Sequence, residues 1–81
     1  MKTKEKLIAA FSSALGVPES PEVEDYEYRG VPEWDSIAHL RLVAEIETNF
    51  DIMLETQDVI NLASFAKGMD ILSRHGVAVE S

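Results

Sequence analysis

Apolar residues recur at steps of three and four through residues 36–50, where Ile37, Leu40, Val43, Ala44, Ile46 and Phe50 mark out an amphipathic helix. The same spacing appears over residues 4–15 in Leu7, Ile8, Phe11, Ala14 and Leu15. Shorter runs follow at 57–62, with Val59, Ile60 and Leu62, and at 65–75, where Phe65, Met69 and Leu72 share a face flanked by Ile71. No stretch alternates apolar and polar residues for long enough to make a strand. These periods predict an all-α fold, a small four-helix bundle whose third helix is short. Start and stop signals sit at the expected places. Thr3 is the expected cap of the first helix, and Gly16 and Pro18 end it. Asp35 is the N-cap of the second, since its carboxylate can accept from free first-turn amides, which makes Ser36 the first helical residue. Trp34, just before that cap, is one half of a hydrophobic staple. Thr56 and Ser64 are expected caps for the third and fourth helices, Arg74 and His75 suit the last C-terminal dipole, and Gly76 suits the stop. Gly68 inside the fourth helix costs about 1 kcal/mol relative to alanine. Residues 77–81 are expected as a frayed tail.

Between the first two helices lies a loop over residues 16–35, broken by Pro18, Pro21, Gly30 and Pro32. It is long against the usual ~4–6 residues, and such a loop is ordered by its own packing or carries function. Val23, Tyr26, Tyr28, Val31 and Trp34 can pin it to the core. Its acids are Glu19, Glu22, Glu24, Asp25, Glu27, Glu33 and Asp35, with Arg29 the single opposing charge, and they read as a solvated face. The segment Asp25-Tyr26-Glu27-Tyr28-Arg29-Gly30 is not a calcium loop. Its fifth position is a cation, and its twelfth is Ser36 where a bidentate glutamate is needed.

An 81-residue chain supports one domain, 1–81, and its 46% hydrophobic content is that of a globular protein. It has no cysteine, hence no disulfide, thiolate metal site or cysteine nucleophile. Stability must come from core packing, which at this size supplies about 3–5 kcal/mol net. Fifteen Asp and Glu stand against seven Lys and Arg, a formal charge of −8. That balance disfavours nucleic acid and anionic membrane surfaces and favours basic protein partners. No run approaches the ~20 apolar residues of a membrane span. The apolar run from Leu7 to Ala10 is too short for a signal peptide, so a soluble, cytoplasmic chain is expected.

Catalytic signatures are missing: the sequence has no Gly-x-Ser-x-Gly, no His-Glu-x-x-His and no glycine-rich phosphate loop. No metal site is expected. Ser36 and His39 share a helix face, yet a nucleophile–base pair also needs an orienting group and an oxyanion site. His39 is accordingly expected on the solvent face, and no enzyme activity is expected. Glu45 and Glu47 do not face each other, and Glu47 with Asp51 reads as an exposed acidic face. Ser36 lies where a helix start favours a phosphate, through its free N–H donors and dipole. Capping chemistry alone would make Ser36 an ordinary cap residue.

The stretch Trp34-Asp35-Ser36-Ile37-Ala38-His39-Leu40 resembles the attachment signature of acyl and peptidyl carrier proteins, an Asp-Ser-Leu-like triplet opening the second helix. Apolar residues follow that serine as the family pattern asks, at Ile37, Leu40, Leu42, Val43 and Ile46, and Phe50 closes the helix. The likeness extends over nearly the whole chain in length, order of elements and acidity. It implies a four-helix bundle of acyl-carrier type. It also implies a 4′-phosphopantetheine arm carried from coenzyme A to Ser36 by a phosphopantetheinyl transferase, with Asp35 as motif neighbour. The arm's thiol would hold an acyl or aminoacyl group as a thioester for loading and downstream enzymes, and the carrier would be a monomer. Partner recognition falls by this resemblance on Glu33, Asp35, Ile37, Leu40, Arg41, Glu45, Glu47 and Asp51. The chain departs from fatty-acid carriers at Arg41 and Thr48, where acids are usual. Together with Trp34, this is more similar to a discrete carrier of a natural-product, polysaccharide or amino-acid-activating pathway. Two other readings stand beside it: an acidic interaction module with an unmodified carrier-like fold, favoured if Leu42 and Met53 form one exposed patch, and a hydrolase using Ser36 and His39. Ala44 and Met53 are the positions that could leave room for cargo beneath the second helix.

Overall fold

A computed structural model describes residues 3–77. Four α-helices make up most of it: α1 (Thr3–Leu15), α2 (Ser36–Phe50), α3 (Thr56–Asn61) and α4 (Phe65–Arg74). Among the described residues there is one isolated β-bridge, Glu27 to Ser64, and no strand longer than that.

Helix α1 lies mainly along α2 and buries Leu7, Phe11, Ala14 and Leu15 of the stripe its spacing marks, with Ala10 beside them; Ile8 of that stripe is half-buried. It ends at Gly16, whose φ of 71° is the left-handed conformation that a glycine adopts without steric cost. The Gly16 and Val17 amides both donate to the Ser12 carbonyl, at 2.9 and 3.2 Å, which satisfies an acceptor the helix end would leave open.

The loop is more regular than its prolines predict. Pro21–Asp25 form a 3-10 turn, capped by Ser20 and led by Pro21. A proline has no N–H to lose and a preset φ, so at the first position of a turn it starts structure rather than breaking it. Val23 is fully buried, and Trp34 is 0% exposed. The Phe11 ring meets Trp34 edge-on at 5.2 Å and Phe65 at 5.4 Å, which ties α1, the loop and α4 together. The last part of the loop folds on itself. Arg29, at φ 64°, donates its amide to the Trp34 carbonyl at 3.0 Å, and Trp34 donates to Val31 at 3.1 Å.

Helix α2 buries Ala38, His39, Leu42 and Ile46. Of the residues whose spacing defined it, Ile46 is buried and Val43 and Phe50 are half-buried, while Ile37, Leu40 and Ala44 face outward. The helix is apolar on more than one side, so periodicity locates the helix without choosing its inner face. The expected solvent-facing His39 is therefore corrected: it is buried. Helix α3 is capped by Glu55, not Thr56, because Asp58 reaches back to accept from the Glu55 amide at 3.1 Å. The helix accordingly runs one residue earlier than its apolar spacing predicts. Helix α4 starts at its Ser64 cap and buries Phe65, Gly68, Ile71 and Leu72, with Met69 half-buried. Gly68 has a packing role: a Cβ there would meet Leu7 at 3.3 Å and Leu62 at 3.4 Å. Of the expected tail, Val77 packs on the core and donates its amide to Leu72 at 3.0 Å; residues 78–81 lie outside the described residues. The radius of gyration, 11.2 Å, matches the about 11–12 Å of a compact chain of this length.

Candidate functional site

The start of α2 is assembled from three parts of the chain. Asp35 is the N-cap, in extended conformation, and its Oδ1 accepts from the Ala38 amide at 2.9 Å. Ser36 follows as the first helical residue and is exposed. Its Oγ lies 3.2 Å from the Tyr28 hydroxyl, and either oxygen can donate. The cap is thus made by Asp35, and the Ser36 hydroxyl is not spent on it. Helix geometry leaves the Ser36 and Ile37 amides without intrahelical acceptors, so the end of α2 keeps donors and the positive end of its dipole beside an exposed hydroxyl.

Directly inside this surface sits His39. The buried Trp34 indole donates from Nε1 to His39 Nδ1 at 3.1 Å. An indole N–H can only donate, so Nδ1 is the acceptor and Nε2 carries the proton. Nε2 then donates to the Val59 carbonyl on α3 at 2.8 Å. Tyr28 stacks on the imidazole at 4.6 Å, with planes 30° apart, and Trp34 stacks against it at 6.1 Å. Both ring nitrogens are committed to partners within the fold, so His39 has no nitrogen to offer Ser36 as a base. Trp34 and His39 occupy the two staple positions that flank and follow the N-cap. That spacing was readable, but the half opposite Trp34 is a histidine rather than an aliphatic residue.

The expected recognition residues separate into two groups. Glu33, Asp35, Ile37, Leu40 and Arg41 are exposed on or just before the first turns of α2, around Ser36. Glu45 and Glu47 are half-buried and engaged internally. Glu45 accepts from Ser13 at 3.2 Å and Asn49 at 3.3 Å, and Glu47 accepts from the Leu54 amide at 2.8 Å. Asp51 is exposed in the left-handed C-cap of α2. Ile37 and Leu40 are 64% and 66% exposed, and Ile60 and Met53 are 67% and 81% exposed. Ile60 follows Val59, the α3 residue bonded to His39. A Leu42–Met53 patch does not form, because Leu42 is fully buried. Ala44 and Met53 both face outward, so neither lines a space beneath α2. Two surface depressions, of about 170 and 330 Å³, lie against α1, the 3-10 turn and α4, and neither is lined by Ser36.

A second polar cluster joins α3 to α4. His75 Nε2 lies 2.7 Å from Asp58 Oδ2, and Arg74 lies 3.5 Å from Oδ1. The His75 hydrogen bond, then the Glu55 amide, hold the Asp58 carboxyl below its ordinary range. Burial opposes this, and the charges of His75 and Arg74 reinforce it. Among the described residues no group of three or more His, Asp or Glu could hold a metal ion, and no helix is long and apolar enough to cross a membrane.

No family model matches the chain, and neither a curated protein nor a solved structure matches it.

Proposed function

We propose that this chain is a carrier that holds an acyl or aminoacyl group on a phosphopantetheine arm attached to Ser36, on a four-helix bundle of acyl-carrier type. One observation carries the reading. Ser36 stands exposed at the first position of α2 with its hydroxyl free of the capping role, which Asp35 performs instead. The donors fit the group, since first-turn amides and the helix dipole favour a phosphodiester at that oxygen. The arm supplies a thiol on which cargo is held as a thioester, the one chemistry a cysteine-free chain cannot supply itself.

In the transfer, Ser36 Oγ bonds to the coenzyme A phosphorus next to the pantetheine. The bond from that phosphorus to the bridging oxygen breaks, the adenosine bisphosphate half leaves, and the hydroxyl proton passes to a base on the transferase. The chain's own contribution is to present the oxygen and to leave it uncovered. Glu33, Asp35 and Arg41 offer charge and Ile37 and Leu40 offer apolar surface to the transferase and to loading and downstream enzymes. The engagement of Glu45 and Glu47 within the fold, together with Arg41, leaves an acidic recognition face thinner than that of a fatty-acid carrier. This supports a place in a specialised pathway and a monomer that visits several enzymes.

The test is an intact-mass spectrum after incubation with coenzyme A and a broad-specificity phosphopantetheinyl transferase, beside Ser36→Ala. Wild type alone should gain the mass of one arm. No gain, with the transferase active on a known carrier, would reject the carrier and leave an acidic interaction module with exposed Ile37, Leu40 and Ile60.

A further inference from the structure

We infer that Tyr28 is the positioning residue for modification of Ser36: its hydroxyl holds the serine oxygen ready for transfer and afterwards donates to the phosphodiester formed there. This rests on the carrier reading and goes beyond the motif around the serine, because Tyr28 lies eight residues upstream, in the loop.

The geometry of Tyr28 is fixed from three sides. Its ring stacks on His39 at 4.6 Å and leans on Trp34 at 6.1 Å. His39 cannot turn away, because both of its nitrogens are bonded, to the Trp34 indole and to the Val59 carbonyl. The Tyr28 amide donates to the Ala63 carbonyl at 2.9 Å, and its neighbour Glu27 makes the β-bridge to Ser64, so the loop is stitched to the junction between α3 and α4. The next residue, Arg29, holds a left-handed φ of 64° and closes the loop onto Trp34. Such a conformation is uncommon outside glycine. A side chain with this many constraints delivers its hydroxyl to one place, and that place is 3.2 Å from Ser36 Oγ.

The chemistry follows from the inventory of donors. A phenol can donate one hydrogen bond, and a serine oxygen can accept two. With Tyr28 as donor, the Ser36 proton stays free for the transferase base, and the oxygen is held in one of three staggered rotamers. Once the oxygen carries a phosphodiester, the same phenol has an anionic acceptor within reach, and hydrogen bonds to ionised acceptors are the stronger kind. Ser36 is exposed while Tyr28 is half-buried against the core, so an enzyme can approach this oxygen from the solvent side without displacing the tyrosine.

Tyr28→Phe tests this, since it keeps the stacked ring and removes only the hydroxyl. The transferase reaction is measured with coenzyme A, varying the carrier concentration, for wild type, Tyr28→Phe and Tyr28→Ala. Losing rotamer selection and one neutral hydrogen bond predicts about a three- to tenfold lower kcat for Tyr28→Phe with KM unchanged. Its melting temperature should equal that of wild type, and the phosphorus resonance of the loaded protein should shift. Tyr28→Ala should lose at least as much kcat and also melt lower. A Tyr28→Phe protein that loads at the wild-type kcat overturns the inference while leaving the carrier intact. Failure of every form to load, wild type included, removes the carrier reading and this inference with it.

Discussion

His39 supplies the sharpest test of the fold, because a solvent-facing and a buried histidine predict different outcomes for the same change. Consider His39→Leu, which keeps similar bulk and removes both polar contacts. The Trp34 indole is 0% exposed and its donor would lose its acceptor at 3.1 Å. A buried donor left unmade costs about 1–3 kcal/mol. The Val59 carbonyl also loses a donor at 2.8 Å, but it is only partly buried and water can replace some of that bond, leaving about 0.5–1 kcal/mol. Stacking on Tyr28 at 4.6 Å contributes about 0.5–1.5 kcal/mol, part of which leucine recovers by apolar contact. The sum is about 2–4 kcal/mol. For a domain of this size that is a fall in melting temperature of about 8–32 °C. Urea unfolding followed by fluorescence of the single tryptophan reads it directly, and an unchanged m-value certifies that stability rather than denatured-state compactness has moved. His39→Gln, which retains an acceptor and a donor, should recover part of the loss. A His39→Leu protein within about 0.5 kcal/mol of wild type, as an exposed substitution would be, refutes the relay from Trp34 to Val59.

Four further outcomes are expected. Asp35→Ala should cost about 0.5–2 kcal/mol in thermal or chemical unfolding, because its carboxylate makes the α2 cap. Ser36→Ala should leave unfolding within about 0.5 kcal/mol of wild type, since that hydroxyl is exposed and caps nothing. The Asp58 carboxyl titrates lower in the folded chain than in the unfolded one, so the folded state binds fewer protons across that window. Its stabilisation is therefore complete above the ordinary aspartate range and lost as pH falls through the lowered value, and Asp58→Asn should cost stability at neutral pH by a margin that shrinks in acid unfolding series. Gly68→Val should destabilise by about 1–3 kcal/mol in urea, because a Cβ alone already meets Leu7 at 3.3 Å and its added methyls have nowhere to go.

The ends of the helices were largely legible because capping is a negotiation between a side chain and amides two or three residues away. Asp35 and Ser64 declare themselves in that way. The miss at α3 is of the same local kind. Thr56 is a common capping residue, but Asp58 reaching back to the Glu55 amide moves the start by one position. The 3-10 turn was missed because Pro21 reads equally as a breaker and as a first-turn residue, and Ser20 before it decides. At the candidate site, Asp35 and Ser36 were visible from their own few residues. Tyr28 was visible only as an apolar pin for the loop, since nothing in the spacing of a tyrosine and a serine eight residues apart says that a loop will bring them together.

Sequence by itself determined that this acidic chain makes four helices, where each begins and stops to within a residue or two, and that Asp35 presents Ser36 at the head of the second. These follow from hydrogen bonds and periodicities that span at most a few residues. Tertiary structure alone decided which side of α2 turns inward, putting His39 and Leu42 in the core and leaving Ile37 and Leu40 in solvent. It also decided that Gly68 lies where α4 closes on Leu7 and Leu62, and that Tyr28 meets Ser36. A helix apolar on more than one side has no preferred inner face until its neighbours arrive, and a hydrogen bond across a loop exists only once the rest of the core has fixed both of its ends.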